Sequence, residues 1–192
     1  MTYEAVAIGG SAGGLNALEM ILQSLPADFK LPIFIVLHRL PAADDLLSLT
    51  LQENCRLKVK EATPSEAVQP GWVYLAPANY HLLIESDKTL SLSVDAKVCF
   101  SRPAIDVLFE SAADTYQTGL IGIILTGANE DGTVGLKRIK ATGGLTIAQH
   151  PATAEAPLMP SSAIQENIVD NILSLSDIAS FLIGLTMKRN EP

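Results

Sequence analysis

Three residue types that together can split an ester stand at three separated places in this 192-residue chain: Ser11, His38 and Asp131. Ser11 lies in Gly9-Gly10-Ser11-Ala12-Gly13-Gly14. The segment fits G-x-S-x-G, in which glycines permit a sharp strand-to-helix turn that presents the serine oxygen, with backbone N–H groups nearby for an oxyanion. A dinucleotide fingerprint G-x-G-x-x-G starting at Gly9 would need glycine where Ser11 stands. A phosphate-cradling G-x-x-x-x-G-K-[ST] fails as well, because Leu15 follows Gly14. On the pattern alone, a plain glycine-rich turn or a phosphate site at a helix N-terminus is an equal alternative.

A serine nucleophile needs a base, and the chain offers three histidines. His38 directly follows an apolar run. His81 opens a predicted hairpin, where a loop or half-exposed role is expected, and His150 precedes Pro151 at a predicted strand end. Taken singly, His38 fits a hydrogen-bonded structural histidine at least as well as a base. Asp131, between Glu130 and Gly132 ahead of a predicted helix, fits a helix cap or a first-turn charge. Asp44, Asp45 and Asp114 read as exposed helix charges, and Asp106, one turn past Arg102, as half of an ion pair. No cluster of His, Cys, Asp and Glu has metal-ligand spacing, so metal catalysis is not expected.

The elements that would position these residues follow from the hydrophobic pattern. Short apolar runs at 5–8, 33–37 and 121–125 predict strands buried on both faces. Leu15, Leu18, Ile21, Leu22 and Leu25 share one helical face over 15–25. Further helices are predicted over 44–53, 103–116 (with Pro103 in the first turn), 131–141 and 177–187. Strands are predicted at 57–60, 72–75 and 145–148, and 81–85 with 90–94 reads as a hairpin turning at 86–89. Strands alternating with helices give an α/β domain: a doubly wound, mostly parallel sheet between two helical layers, plus one antiparallel hairpin. Ligands in such sheets bind beyond the carboxyl ends of the strands, which is where Ser11, His38 and the segment 126–132 fall.

Composition narrows the partners. With 48% hydrophobic and 18% charged residues, the chain reads as one globular domain spanning 1–192. A net charge of −8 and the lack of a basic stripe argue against nucleic acid. The apolar runs are too short to span a bilayer, and Met1-Thr2-Tyr3-Glu4 carries no basic leader, so a cytoplasmic protein without membrane insertion is expected. Cys55 and Cys99 belong to no C-x-x-C pair and are expected to be free thiols.

Taken together, several blocks of the sequence resemble those of the bacterial chemotaxis protein-glutamate methylesterases (CheB-type), in the family's order. They are Ala7-Ile8-Gly9-Gly10-Ser11-Ala12-Gly13-Gly14-Leu15, Ile35-Val36-Leu37-His38-Arg39-Leu40-Pro41 and Val73-Tyr74-Leu75-Ala76-Pro77. Arg102-Pro103-Ala104-Ile105-Asp106-Val107-Leu108-Phe109 and Leu125-Thr126-Gly127-Ala128-Asn129-Glu130-Asp131-Gly132 follow, then Gly143-Gly144, Ala148-Gln149 and Met159-Pro160. The resemblance implies Ser11 as nucleophile, His38 as base and Asp131 as the acid that orients the histidine, in a chain order unlike that of the common α/β-hydrolases. It departs from the family at Ala12, where threonine is usual, at Ala128 and Asn129, where methionine and glycine are usual, and at Ser101, where histidine is common.

What the resemblance implies is hydrolysis of glutamyl γ-methyl esters on chemoreceptors, with release of methanol, deamidation of receptor glutamines as a companion reaction, and no cofactor. The backbone N–H groups of Ala12 and Ala128 are candidate oxyanion donors, and Arg39 and Arg102 candidate substrate contacts. The partner is then the cytoplasmic helical region of a methyl-accepting receptor. Family members usually carry an N-terminal receiver domain. With a core strand starting by residue 5, none is expected here, which leaves a separate response-regulator protein as a candidate source of control. An esterase or amidase on another substrate, and a non-catalytic signalling module of the same fold, are the alternatives.

Overall fold

The computed structural model describes residues 2–39 and 46–187. Its strands are β1 (Ala5–Gly10), β2 (Ile33–Leu37), β3 (Lys58–Glu61), β4 (Trp72–Leu75), β5 (His81–Ile84), β6 (Leu90–Ser93), β7 (Leu120–Ile124), β8 (Leu145–Gln149) and β9 (Asn171–Leu173). Its helices are α1 (Gly14–Ser24), α2 (Leu47–Asn54), α3 (Ile105–Tyr116), α4 (Thr133–Ala141), α5 (Leu158–Gln165) and α6 (Leu175–Met187). Seven strands pair in parallel in the order β3-β4-β2-β1-β7-β8-β9, and β5 and β6 form a separate antiparallel hairpin. This is the expected doubly wound three-layer architecture.

The alternation of side chains along β1 shows how the layers are held. Val6 and Ile8 face a core with Leu18, Ile21 and Leu22 of α1, Leu51 of α2 and Ile178 of α6. Ala5 and Ala7 face the other core, with Leu108 and Phe109 of α3, Leu136 of α4, Met159 of α5 and Leu82 of the hairpin. The second face of β1 is lined by small residues, so α3 can approach it closely. A Cβ added at Gly9 would lie 2.2 Å from Cγ2 of Ile105, the first residue of α3. Gly9 therefore sets how near the N-terminus of α3 comes to the end of β1.

Differences from the sequence expectations have local causes. Helix α3 begins at Ile105 after an extended Ala104, so Pro103 lies outside the first turn. Helix α4 begins at Thr133, because Gly132, with φ 93°, forms a left-handed entry that leaves Asp131 off the helix. The pattern over 158–165 is short and carries Pro160, and β9 spans three residues; neither shows a clear period, and both elements were unforeseen. Leu40, Pro41, Asp44 and Asp45 lie outside the described residues. Among the described residues, no helix is long and apolar enough to cross a membrane.

Strand β1 pairs with β2 on one side and β7 on the other, and the chain reaches these neighbours by connections running opposite ways. That reversal opens a crevice beyond the carboxyl ends of the central strands.

Candidate active site

Ser11 follows β1 directly. Its N–H donates to Thr126 O at 2.9 Å, and its carbonyl accepts from Gly14 N at 2.8 Å as the chain turns into α1. The left-handed residue of this turn is Gly13, with φ 75°; Ser11 has no positive φ. The serine is thus presented without the backbone strain that the G-x-S-x-G pattern suggests. Thr126, two residues past β7, donates its hydroxyl to Ala12 O at 2.8 Å, which ties the loop after β7 to the serine loop.

His38 and Asp131 meet beyond the same sheet edge. The His38 N–H donates to Gly10 O at 3.1 Å, and its ring Nε2 lies 2.7 Å from Asp131 Oδ2. Asp131 is 0% exposed. It does act as a helix cap, but not for the helix that follows it. Oδ2 accepts from Ile105 N at 2.8 Å and Oδ1 from Asp106 N at 3.1 Å, at the start of α3, where the N-cap residue Ala104 offers no side-chain hydrogen bond. The buried carboxylate therefore faces three N–H donors at the positive end of a helix.

With Nε2 turned to Asp131, the ring proton belongs on Nε2 and the lone pair on Nδ1. Nδ1 faces Ser101 Oγ at 3.4 Å. The close Ser11–His38 hydrogen bond expected of a triad is not formed among the described residues, although both side chains line one open cleft of about 370 Å³. Asn129 also lines the cleft, and its side chain accepts from Asp131 N at 3.2 Å. Ala12 and Ala128 are exposed, and among the described residues neither N–H has an acceptor.

Both candidate arginines line the cleft. Arg39 pairs with Glu61, while its Nε and Nη1 are buried with no acceptor among the described residues. Arg102 does not pair with Asp106 as expected. Its guanidinium donates to Asn79 Oδ1 at 2.9 and 3.2 Å, Val94 O at 2.6 Å and Asp95 O at 2.9 Å. Asp106 is buried and accepts from Gly135 N at 2.7 Å. Burial pushes its carboxyl up to about 6; the Gly135 hydrogen bond opposes this and the neighbouring Asp131 charge adds to it. His81 is also a correction. It is 1% exposed, with Nδ1 accepting from Ala104 N at 3.2 Å and Nε2 donating to Ala96 O at 3.1 Å.

Lys97 and Phe100, both exposed, complete much of the cleft lining and were not foreseen; the segment after the hairpin carries no periodic signal. Cys99 Sγ and carboxylate oxygens of Asp106 and Asp131 lie within 4.8 Å of one another. The two carboxylates are already held by backbone N–H groups, so this cluster is a hydrogen-bonded scaffold and does not suit a metal. Burial raises the Cys99 thiol, as do the charges of Asp131, Asp106 and Glu130, which makes it a poor nucleophile.

Comparison with known proteins gives one consistent result. Residues 6–182 match the family model for CheB methylesterase. A Leptospira interrogans protein is 52% identical over 191 residues, spanning 100% of this chain and 99% of its own length. The protein-glutamate methylesterase/protein-glutamine glutaminase of Thermotoga maritima is 38% identical, over 94% of this chain and 53% of its own length. The chain thus spans nearly all of one relative and about half of the other. The crystal structure of the Thermotoga maritima CheB methylesterase catalytic domain superposes with a TM-score of 0.92 at 37% identity, covering 96% of this chain and 100% of that one.

Proposed function

The chain belongs to the CheB methylesterase family, and from that premise we propose that it hydrolyses glutamyl γ-methyl esters on the cytoplasmic helices of chemoreceptors, with Ser11, His38 and Asp131 as its triad. The observation that carries this reading is the 2.7 Å contact between His38 Nε2 and a fully buried Asp131, beside the cleft that Ser11 lines.

In this scheme Asp131 fixes the proton on Nε2, so Nδ1 is the base. Ser11 Oγ attacks the ester carbonyl carbon as its proton passes to Nδ1, help typically worth about 10²–10⁴-fold. The oxyanion is received by the Ala12 and Ala128 N–H groups, and that neither has an acceptor among the described residues supports that role; each such donor is typically worth about 10²–10³-fold. The C–O bond to methoxide then breaks, and Nδ1–H supplies the proton that releases methanol. Water repeats the attack with His38 as base, giving the glutamate carboxylate and free Ser11. A glutamine side chain can follow the same path with ammonia as leaving group, in keeping with the name of the Thermotoga relative.

The test is methanol release from methylated receptor fragments. Wild type is expected to turn over and Ser11→Ala to lose at least about 10³-fold while remaining folded. A folded Ser11→Ala protein with wild-type turnover would end the nucleophile assignment.

A further inference from the structure

A γ-methyl ester offers a pocket little surface by which to be recognised, so an enzyme acting on one must draw selectivity from protein around the scissile group. The segment between the hairpin and α3 has an unusual build for a connecting loop. Val98 and Ser101 exchange both backbone hydrogen bonds, at 2.8 and 3.2 Å, around a two-residue turn. Its central residues, Cys99 and Phe100, both have positive φ, 47° and 62°. That is the geometry of a tight hairpin turn usually formed by Asn-Gly or Gly-Gly, and a bulky side chain there is disfavoured. Yet the second position holds a phenylalanine that is 97% exposed.

Two anchors hold the segment in place. Arg102 grips the Val94 and Asp95 carbonyls, and buried His81 holds Ala96 O. At its far end Ser101 reaches His38 Nδ1. A rigid platform thus presents an aromatic ring to solvent beside the base. Among the described residues that line the cleft, Arg39, Lys97 and Arg102 are cationic and none is a carboxylate, in a chain with 21 acidic and 13 basic residues. Among the described residues, neither Lys97 nor Arg102 forms a salt bridge.

We propose that the Cys99–Phe100 turn is the docking element for the protein substrate, with Phe100 seated in an apolar seam of an acidic helical segment and Lys97 facing its carboxylates. This rests on the methylesterase reading above and deepens it. Strain held at an exposed aromatic residue is accounted for by a partner that covers the ring, and the exposed Lys97, without an ion pair among the described residues, by a partner that brings its counter-charge.

The experiment compares kcat/KM for methanol release from methylated receptor fragments with kcat/KM for a small aryl ester. Phe100→Ala is expected to lower the ratio of the two about 10–100-fold, as truncation of a central aromatic anchor does, mainly through KM for the protein substrate. Lys97→Glu is expected to lower the ratio about 3–10-fold and to weaken its dependence on salt. Ile172→Ala, an exposed apolar residue on β9, serves as the control that leaves the ratio unchanged. If wild type releases methanol from the receptor and Phe100→Ala keeps the wild-type ratio, the docking proposal falls alone. An equal fall on both substrates would assign the turn to site geometry and overturn docking. A Phe100-dependent change in oligomeric state would assign the ring to self-association and also overturn it. A wild type that cleaves the aryl ester but not the receptor would overturn the substrate reading and docking with it.

Discussion

Replacing Asp131 by asparagine sets an NH2 group against a backbone N–H whichever way the amide turns, because Oδ2 accepts from Ile105 and His38 while Oδ1 accepts from Asp106. One orphaned buried donor costs about 1–3 kcal/mol. Asp131→Asn is therefore expected to lose stability by that amount in denaturant titration, and methanol release by about 10³–10⁴-fold because the amide no longer fixes the His38 tautomer. Ser11, half-buried with its side chain in the cleft, has no comparable structural duty. A stability loss for Ser11→Ala as large as for Asp131→Asn would contradict this division. The residue types Ser, His and Asp were legible in the chain, as was the edge on which they lie. The second duty of Asp131 was not, since its partners Ile105 and Asp106 are 26 and 25 positions away in sequence. The buried state of His81 was equally hidden, because both its ring nitrogens are satisfied by backbone groups from other segments.

Among elements, the approach of α3 to β1 decides whether Asp131 finds its donors. In Gly9→Ala the new methyl group would lie 2.2 Å from Ile105 Cγ2 and 3.0 Å from its Cδ1 and Cγ1, all within a packed core. The first turn of α3 must then retreat, and overpacking of this kind costs about 1–3 kcal/mol. Gly9→Ala is expected to lower melting temperature and turnover together. Adding Ile105→Ala is expected to restore part of both, a coupling that a double-mutant cycle measures. Additive losses would show that the contact is not the cause. The strands and longer helices were legible because their apolar residues repeat with a clean period, as in the run 33–37 or the Leu15–Leu18–Leu22 face of α1. Element ends were less so: Gly132 moves the start of α4 through its left-handed backbone, and α5 and β9 are held by tertiary packing more than by their own pattern.

For the molecule as a whole, the buried Asp106 gives stability a pH dependence of definite sign. Its carboxyl is pushed from the ordinary 3.8 up to about 6, so the folded protein holds this proton more tightly than the unfolded chain. The contribution of this group is greatest below about pH 4 and is lost as pH rises through about 4–6, by at most about 3 kcal/mol. Asp106→Asn keeps an oxygen for the Gly135 N–H and has no charge to bury. The stability of the variant relative to wild type is expected to rise across that window and level off above it; a difference independent of pH would show that Asp106 does not titrate there. One feature of the topology bears on how the protein comes into being. Strand β1 leads directly to the serine, and its β7 partner, ahead of the aspartate loop, lies more than a hundred residues along the chain, with no tight turn to bring them together. Parallel pairing across so long a loop must bear its closure entropy before any contact rewards it, which makes such steps slow. A nascent or refolding chain with β1, α1 and β2 in place already has its serine and histidine just beyond the ends of two neighbouring strands. If Asp131 completes the triad as proposed, activity is expected to appear only once β7 has joined the sheet and brought the aspartate loop with it.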